Sequence, residues 1–131
     1  MRRALAAAAL AAALLAGCGD DGPTAEQQVR QTLDELGRAT AAKDYQALCD
    51  RVFASELVRK LTQIGLPCEV AMQQSFAKVQ NPRLAIGKVT VAKNGKSATA
   101  EVRTSATGQT PSQDTVELVP VKDGWRVSSL G

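Results

Sequence analysis

The stretch LAIGKVTVAKNGKSATAEVRT, Leu84 to Thr104, decides the fold. Asn94-Gly95 sits at its centre, and this dipeptide favours the positive backbone angles of a tight hairpin turn. On the far side Ala98, Ala100, Val102 and Thr104 alternate with Thr99, Glu101 and Arg103, the period of a half-buried strand. On the near side Leu84 to Ala92 reads as the partner strand. Its apolar parity switches between Ile86 and Val89, which predicts a bulge at Gly87 and Lys88. A polar loop from Ala106 to Ser112 leads to a third strand, about Gln113 to Val121. Asp123-Gly124 then turns the chain into a fourth, Trp125-Arg126-Val127. Glu101 and Glu117 alternate with Ala100, Val102, Val116 and Leu118, so both acids point away from the apolar face.

Upstream of Asn81-Pro82 the period is helical. Thr24 opens a T-x-x-Q pattern with Gln27, and Ala25, Val29, Leu33, Leu36 and Thr40 recur on one face, predicting a helix from about Ala25 to Ala41. Asp44 is placed to cap a short helix through Tyr45, Ala47 and Leu48. A third helix, from about Ser55, presents Leu57, Leu61 and Ile64 before Gly65 stops it. Pro67 opens a fourth, in which Cys68, Met72 and Phe76 share one face. Helices first and an antiparallel meander second make an α+β domain with the helices packed on one face of about four strands.

The N-terminus carries an address. Met1, Arg2 and Arg3 precede an apolar run, Ala4 to Ala16, that is shorter than the ~20 residues a membrane span requires. Leu15, Ala16, Gly17 and Cys18 resemble the bacterial lipobox at all four positions. The resemblance implies cleavage before Cys18 and a lipid on its sulfur. The chain then divides into a lipoprotein signal peptide (1–17), a lipidated N-terminus and tether (18–23) and a single domain (24–131) anchored by lipid to the extracytoplasmic face of a bacterial cell membrane. Several acyl chains hold a protein there stably, where one does so only reversibly.

Removing the signal also removes Arg2 and Arg3. The formal charge of +3, from 16 basic and 13 acidic residues, falls to +1 for the mature part. With no Lys/Arg stripe interleaved with aromatics, a nucleic-acid partner is not expected. With Cys18 assigned to lipid, Cys49 and Cys68 are the one intramolecular pair left, and an oxidising compartment favours a disulfide between them; free buried thiols are the alternative. The chain has no histidine. It therefore lacks the usual general base near neutral pH and the commonest metal ligand, and neither a catalytic set, a metal site nor a cofactor is expected.

The segment Ala42-Lys43-Asp44-Tyr45-Gln46-Ala47-Leu48-Cys49, the short helices after it, the meander and the terminal Asp123-Gly124-Trp125-Arg126-Val127 together resemble the nuclear transport factor two-like, or ketosteroid-isomerase-like, superfamily, as found in small actinobacterial lipoproteins. The resemblance implies a bent sheet wrapped around the helices as a cone that encloses a pocket. Enzymes of that superfamily place acids, histidines or tyrosines inside the cone, and no matching set occurs here. Asp44 reads as a helix cap and Asp50 as a cap or surface charge, although an isomerase or hydratase would have to draw on these two. The expected role is a non-catalytic binding or accessory domain for a small apolar ligand or an envelope protein, with a structural spacer in an envelope complex as a further alternative. Tyr45, Phe76 and Trp125 are the candidate pocket lining, and the outer face of the sheet is the candidate surface for a homodimer.

Overall fold

The computed structural model describes residues 22–131; the signal segment and Cys18 lie outside the described residues. Helix α1, Ala25–Ala42, begins with a complete capping box: the Thr24 hydroxyl accepts from the Gln27 backbone N–H at 3.2 Å while the Gln27 side chain accepts from the Thr24 N–H at 2.8 Å. Val29, Leu33, Leu36 and Ala39 form its buried face. Ala25 and Thr40, expected on that face, are exposed and half-buried respectively. The helix ends where Lys43 enters the left-handed region at φ 56°.

Asp44 then caps α2, Tyr45–Ala47, its carboxylate accepting from the Ala47 N–H at 3.0 Å. The chain continues as a π-helical segment, Leu48–Val52, which sequence periodicity does not foreshadow. Its wider turn buries Leu48, Cys49 and Val52 together and delivers Phe53, 1% exposed, to the centre of the core. Helix α3, Ser55–Thr62, stops before Ile64, which is 70% exposed rather than on the apolar face. Pro67 is the N-cap of α4, Cys68–Phe76, rather than its first residue.

Four strands follow: β1 Arg83–Val91, β2 Ala98–Ser105, β3 Ser112–Val121 and β4 Gly124–Ser129, paired antiparallel in chain order. The β1–β2 register shifts between Ile86 and Val89, as the change of parity predicts. At this bulge a Cβ on Gly87 would stand 3.2 Å from the Glu101 carbonyl oxygen, so glycine answers a close backbone approach. Arg30 of α1 donates to the Gly87 carbonyl at 3.2 Å and fastens the bulge to the helix.

The core lies between the helices and one face of the sheet, where Ala98, Ala100, Val102, Val116, Leu118, Trp125 and Val127 meet Val29, Leu33, Leu48 and Phe53. Glu101 and Glu117 are exposed on the other face. The segment after the π-helical turn pairs in parallel with the far edge, Phe53 opposite Val127, and the Ala54 N–H donates to the Val127 carbonyl at 2.7 Å. The Cys49–Cys68 disulfide, Cα–Cα 6.0 Å, ties the π-helical segment to α4. Among the described residues no helix is long and apolar enough to cross a membrane.

Candidate functional site: a chamber at the end of the sheet

The inner face of the sheet changes character along its length. Across β2 and β3 the inward pairs run Ala98 with Leu118, Ala100 with Val116, Val102 with Asp114 and Thr104 with Ser112. The first two pairs are buried in the core, whereas at the last two the apolar column gives way to hydroxyls and a carboxylate. Thr104 and Ser112 share a hydrogen bond of 2.8 Å between their hydroxyls, and the Ser112 hydroxyl lies 3.0 Å from an Asp114 carboxylate oxygen, to which it donates. Among the described residues Asp114 forms no ion pair.

These groups line one side of a chamber of about 300 Å³. Leu36 and Thr40 of α1, Phe76 at the end of α4, and Leu84, Val102 and Val116 of the sheet supply the other walls. A volume near 300 Å³ is at the lower end of small-molecule sites and corresponds to roughly ten water-sized groups. Chemically this is a largely apolar room whose lining also holds a strong hydrogen-bond acceptor, Asp114, and a cation, Arg83. Asp114 is the one carboxylate in the lining.

The three aromatic residues expected to line a single pocket do not converge. Phe76 lines the chamber. Tyr45 does not reach it; its ring stacks on Phe76, centroids 6.5 Å apart and 23° between planes, and so backs the chamber wall. Trp125 lies at the opposite end of β3, paired with Pro120 and 6% exposed. Its carbonyl accepts from the Thr32 hydroxyl at 2.9 Å, and its ring edges a separate groove near the start of α1. Large side chains attract the reading of pocket lining, yet this tryptophan is buried as core.

Sequence reasoning missed Thr104, Ser112 and Asp114 as a group. Their signal was the parity already used for the core, since Asp114 and Ser112 extend the Val116, Leu118 series in steps of two. Asp44 and Asp50 lie elsewhere. Asp44 is engaged at its helix cap and faces Arg38 at 3.6 Å. Asp50 is exposed, with its backbone carbonyl accepting from Arg126 at 2.7 Å.

The strongest electrostatic cluster is outside the chamber. Glu35 accepts from Arg38 at 2.6 and 2.7 Å and from Arg51 at 3.2 Å, and these bonds, Arg38 foremost, push its carboxyl down to about 2. It staples α1 to the π-helical segment. Among the described residues no group of three or more His, Cys, Asp or Glu side chains is arranged to hold a metal ion.

No protein-family model matches the chain, and no curated protein matches it by sequence. Similarity appears in three dimensions. The Kfla4162 protein of Kribbella flavida superposes with a TM-score of 0.55 at 22% identity, covering 78% of this chain and 84% of that one. A proposed aromatic ring hydroxylase of Novosphingobium aromaticivorans superposes with a TM-score of 0.55 at 17% identity, covering 82% and 87%. The fold is nuclear transport factor two-like. At these identities the likeness concerns architecture, so the chemistry must be argued from this chain's own chamber.

Proposed function

We propose that this chain is a lipid-anchored, extracytoplasmic bacterial lipoprotein whose domain binds, without chemical turnover, a small and largely apolar molecule in the chamber. The observation that carries the reading is the composition of that room: Leu36, Phe76, Leu84, Val102 and Val116 around the body of the ligand, and Asp114 with Ser112 at the rim. Such a site suits an apolar compound that carries a hydroxyl, which can donate to Asp114 and accept from Arg83. Acid/base catalysis ordinarily opposes two titratable groups with separated pKa values. This lining holds a single carboxylate, and the chain has no histidine to set against it. The lipid anchor rests on the Leu15-Ala16-Gly17-Cys18 motif.

Binding of decan-1-ol to the released domain, followed by calorimetry and native mass spectrometry, tests the chamber. Saturable one-to-one binding that Phe76→Asp abolishes, in a variant with an unchanged far-ultraviolet spectrum, is the expected result. Absence of binding, or equal binding by the variant, refutes the reading. The anchor is tested separately: Cys18→Ala is expected to eliminate incorporation of radiolabelled palmitate, and label retained on that variant excludes Cys18 as the acceptor.

A further inference from the structure

Leu130 sits where strand alternation would not put it. Trp125 and Val127 of β4 are buried in the core, so an unbroken alternation would send Ser129 inward and Leu130 to the outer face of the sheet. The pairing of β3 with β4 shifts before that point: Leu118 faces Val127, but Glu117 faces Ser129, which leaves Ser128 as an extra residue. A bulge of this kind reverses the parity of the residues after it. Ser129 stands opposite the exposed Glu117, and the next step sets Leu130 opposite Val116, on the inner face. Leu130 accordingly lines the chamber.

Its state there differs from that of the other apolar groups. Leu36, Val102 and Val116 are 6% exposed or less, whereas Leu130 is 42% exposed. The described residues hold two other exposed large apolar side chains, Ile64 and Val121, and neither lines the chamber. Leu130 also lies one residue past the end of β4, beyond the last paired position. Gly131 then brings the chain, at φ 103°, onto β3: a Cβ there would lie 3.4 Å from the Thr115 carbonyl oxygen and 3.9 Å from an Asp114 carboxylate oxygen. The segment therefore passes beside the acceptor of the chamber.

Resting on the binding role proposed above, we infer that Leu130 is the cover of the chamber, folding onto the bound molecule and burying the carbons next to its hydroxyl. The bulge at Ser128 turns the side chain to that task. Because the segment runs beside Asp114, its contact falls on the end of the ligand whose hydroxyl donates to that carboxylate. An exposed side chain changes rotamer within nanoseconds, so the cover opens and closes without rearrangement of the sheet. Closing it removes the apolar surface of both the leucine and the ligand from water.

The experiment uses residues 18–131 with Cys18→Ala, which removes the lipid acceptor and the need for detergent, and decan-1-ol as the probe. Burying the exposed part of Leu130 contributes roughly fivefold in affinity, so Leu130→Ala should weaken binding by about that factor in calorimetry. Val121→Ala, which truncates a side chain of similar exposure in the separate groove near the start of α1, should leave affinity unchanged. With Leu130 in place, its methyl protons should show nuclear Overhauser effects to the methylenes nearest the alcohol's hydroxyl. Unchanged affinity in Leu130→Ala, equal losses in the two variants, or Overhauser effects from Val116 and Phe76 with none from Leu130 overturns the inference and leaves the chamber reading standing. Failure of decan-1-ol to bind the chain that retains Leu130 overturns the chamber reading and this inference together.

Discussion

Breaking the Cys49–Cys68 bond is expected to cost roughly 3 kcal/mol, which follows from chain entropy for a sequence separation of 19. The bond also fixes the placement of α4. Helix α4 packs on α2, α3 and the π-helical segment, so it is fastened mainly to other short helices. At its end Phe76 forms part of the chamber wall. The cleanest perturbation is the double variant Cys49→Ala with Cys68→Ala. Both sulfurs are buried, and serine at either position would add the cost of an enclosed hydroxyl. Urea unfolding, with the slope monitored, should show a midpoint shift equivalent to roughly 3 kcal/mol, and in a domain of this size the melting temperature should fall by roughly 10–15 °C. Wild-type protein in excess reductant should fall to about the same stability as the double variant. Ligand affinity for the chamber should weaken as Phe76 loses its fixed backing. A wild-type midpoint that does not move on full reduction would refute the reasoning, because the α4 attachment would then owe nothing to the crosslink.

Phe53→Ala should cost about 3–5 kcal/mol, since the ring is 1% exposed and its removal opens a cavity at the junction of the π-helical segment with β4; a loss below about 1 kcal/mol by urea titration would displace it from the centre of the core. Acid should weaken the domain through Glu35. Its folded-state pKa is depressed to about 2 from 4.5, so its contribution is present above pH 4.5 and is lost as pH falls from there toward 2. Glu35→Gln should flatten that part of the stability profile, by less than about 1 kcal/mol because the pair is partly exposed, and added salt should shrink the difference. An unchanged profile in the variant would remove Glu35 as the acid-sensitive staple.

Where local chemistry settles the structure, the sequence reading and the fold agree. The Thr24 capping box, the Asp44 cap, the Asn94-Gly95 hairpin and the bulge beside Gly87 are each set by two or three neighbouring residues, and each occurs where periodicity placed it. The differences arise where tertiary packing overrules local pattern. Leu48 to Val52 adopts a π-helical turn because Leu48, Cys49, Val52 and Phe53 must all reach the core, which a regular helical period does not arrange. Ile64 continues the apolar series of α3 but falls past its end, in the turn closed by Gly65 at φ 88°.

The site was harder to see than the fold for a related reason. Aromatic residues stand out in a chain with four of them, yet their burial here serves the core at two distant places: Trp125 beside the start of α1, and Tyr45 with Phe76 at its other end. The polar side of the chamber is made from ordinary serine, threonine and aspartate, and only strand parity distinguishes Asp114 from the solvated Glu117. The geometry also constrains how a tethered domain would be used. The tether would join α1 at its beginning, whereas Leu36, Gly37 and Thr40 place the chamber along the second half of a helix about 27 Å long. A ligand held in the chamber would therefore sit toward the end of the domain remote from the anchor. Acquisition from solution or from another envelope protein fits that placement better than extraction from the bilayer beneath. Lengthening the tether by a flexible insert after Gly22 should then leave ligand occupancy in cells unchanged, and a marked rise in occupancy would argue that the membrane surface is the source after all.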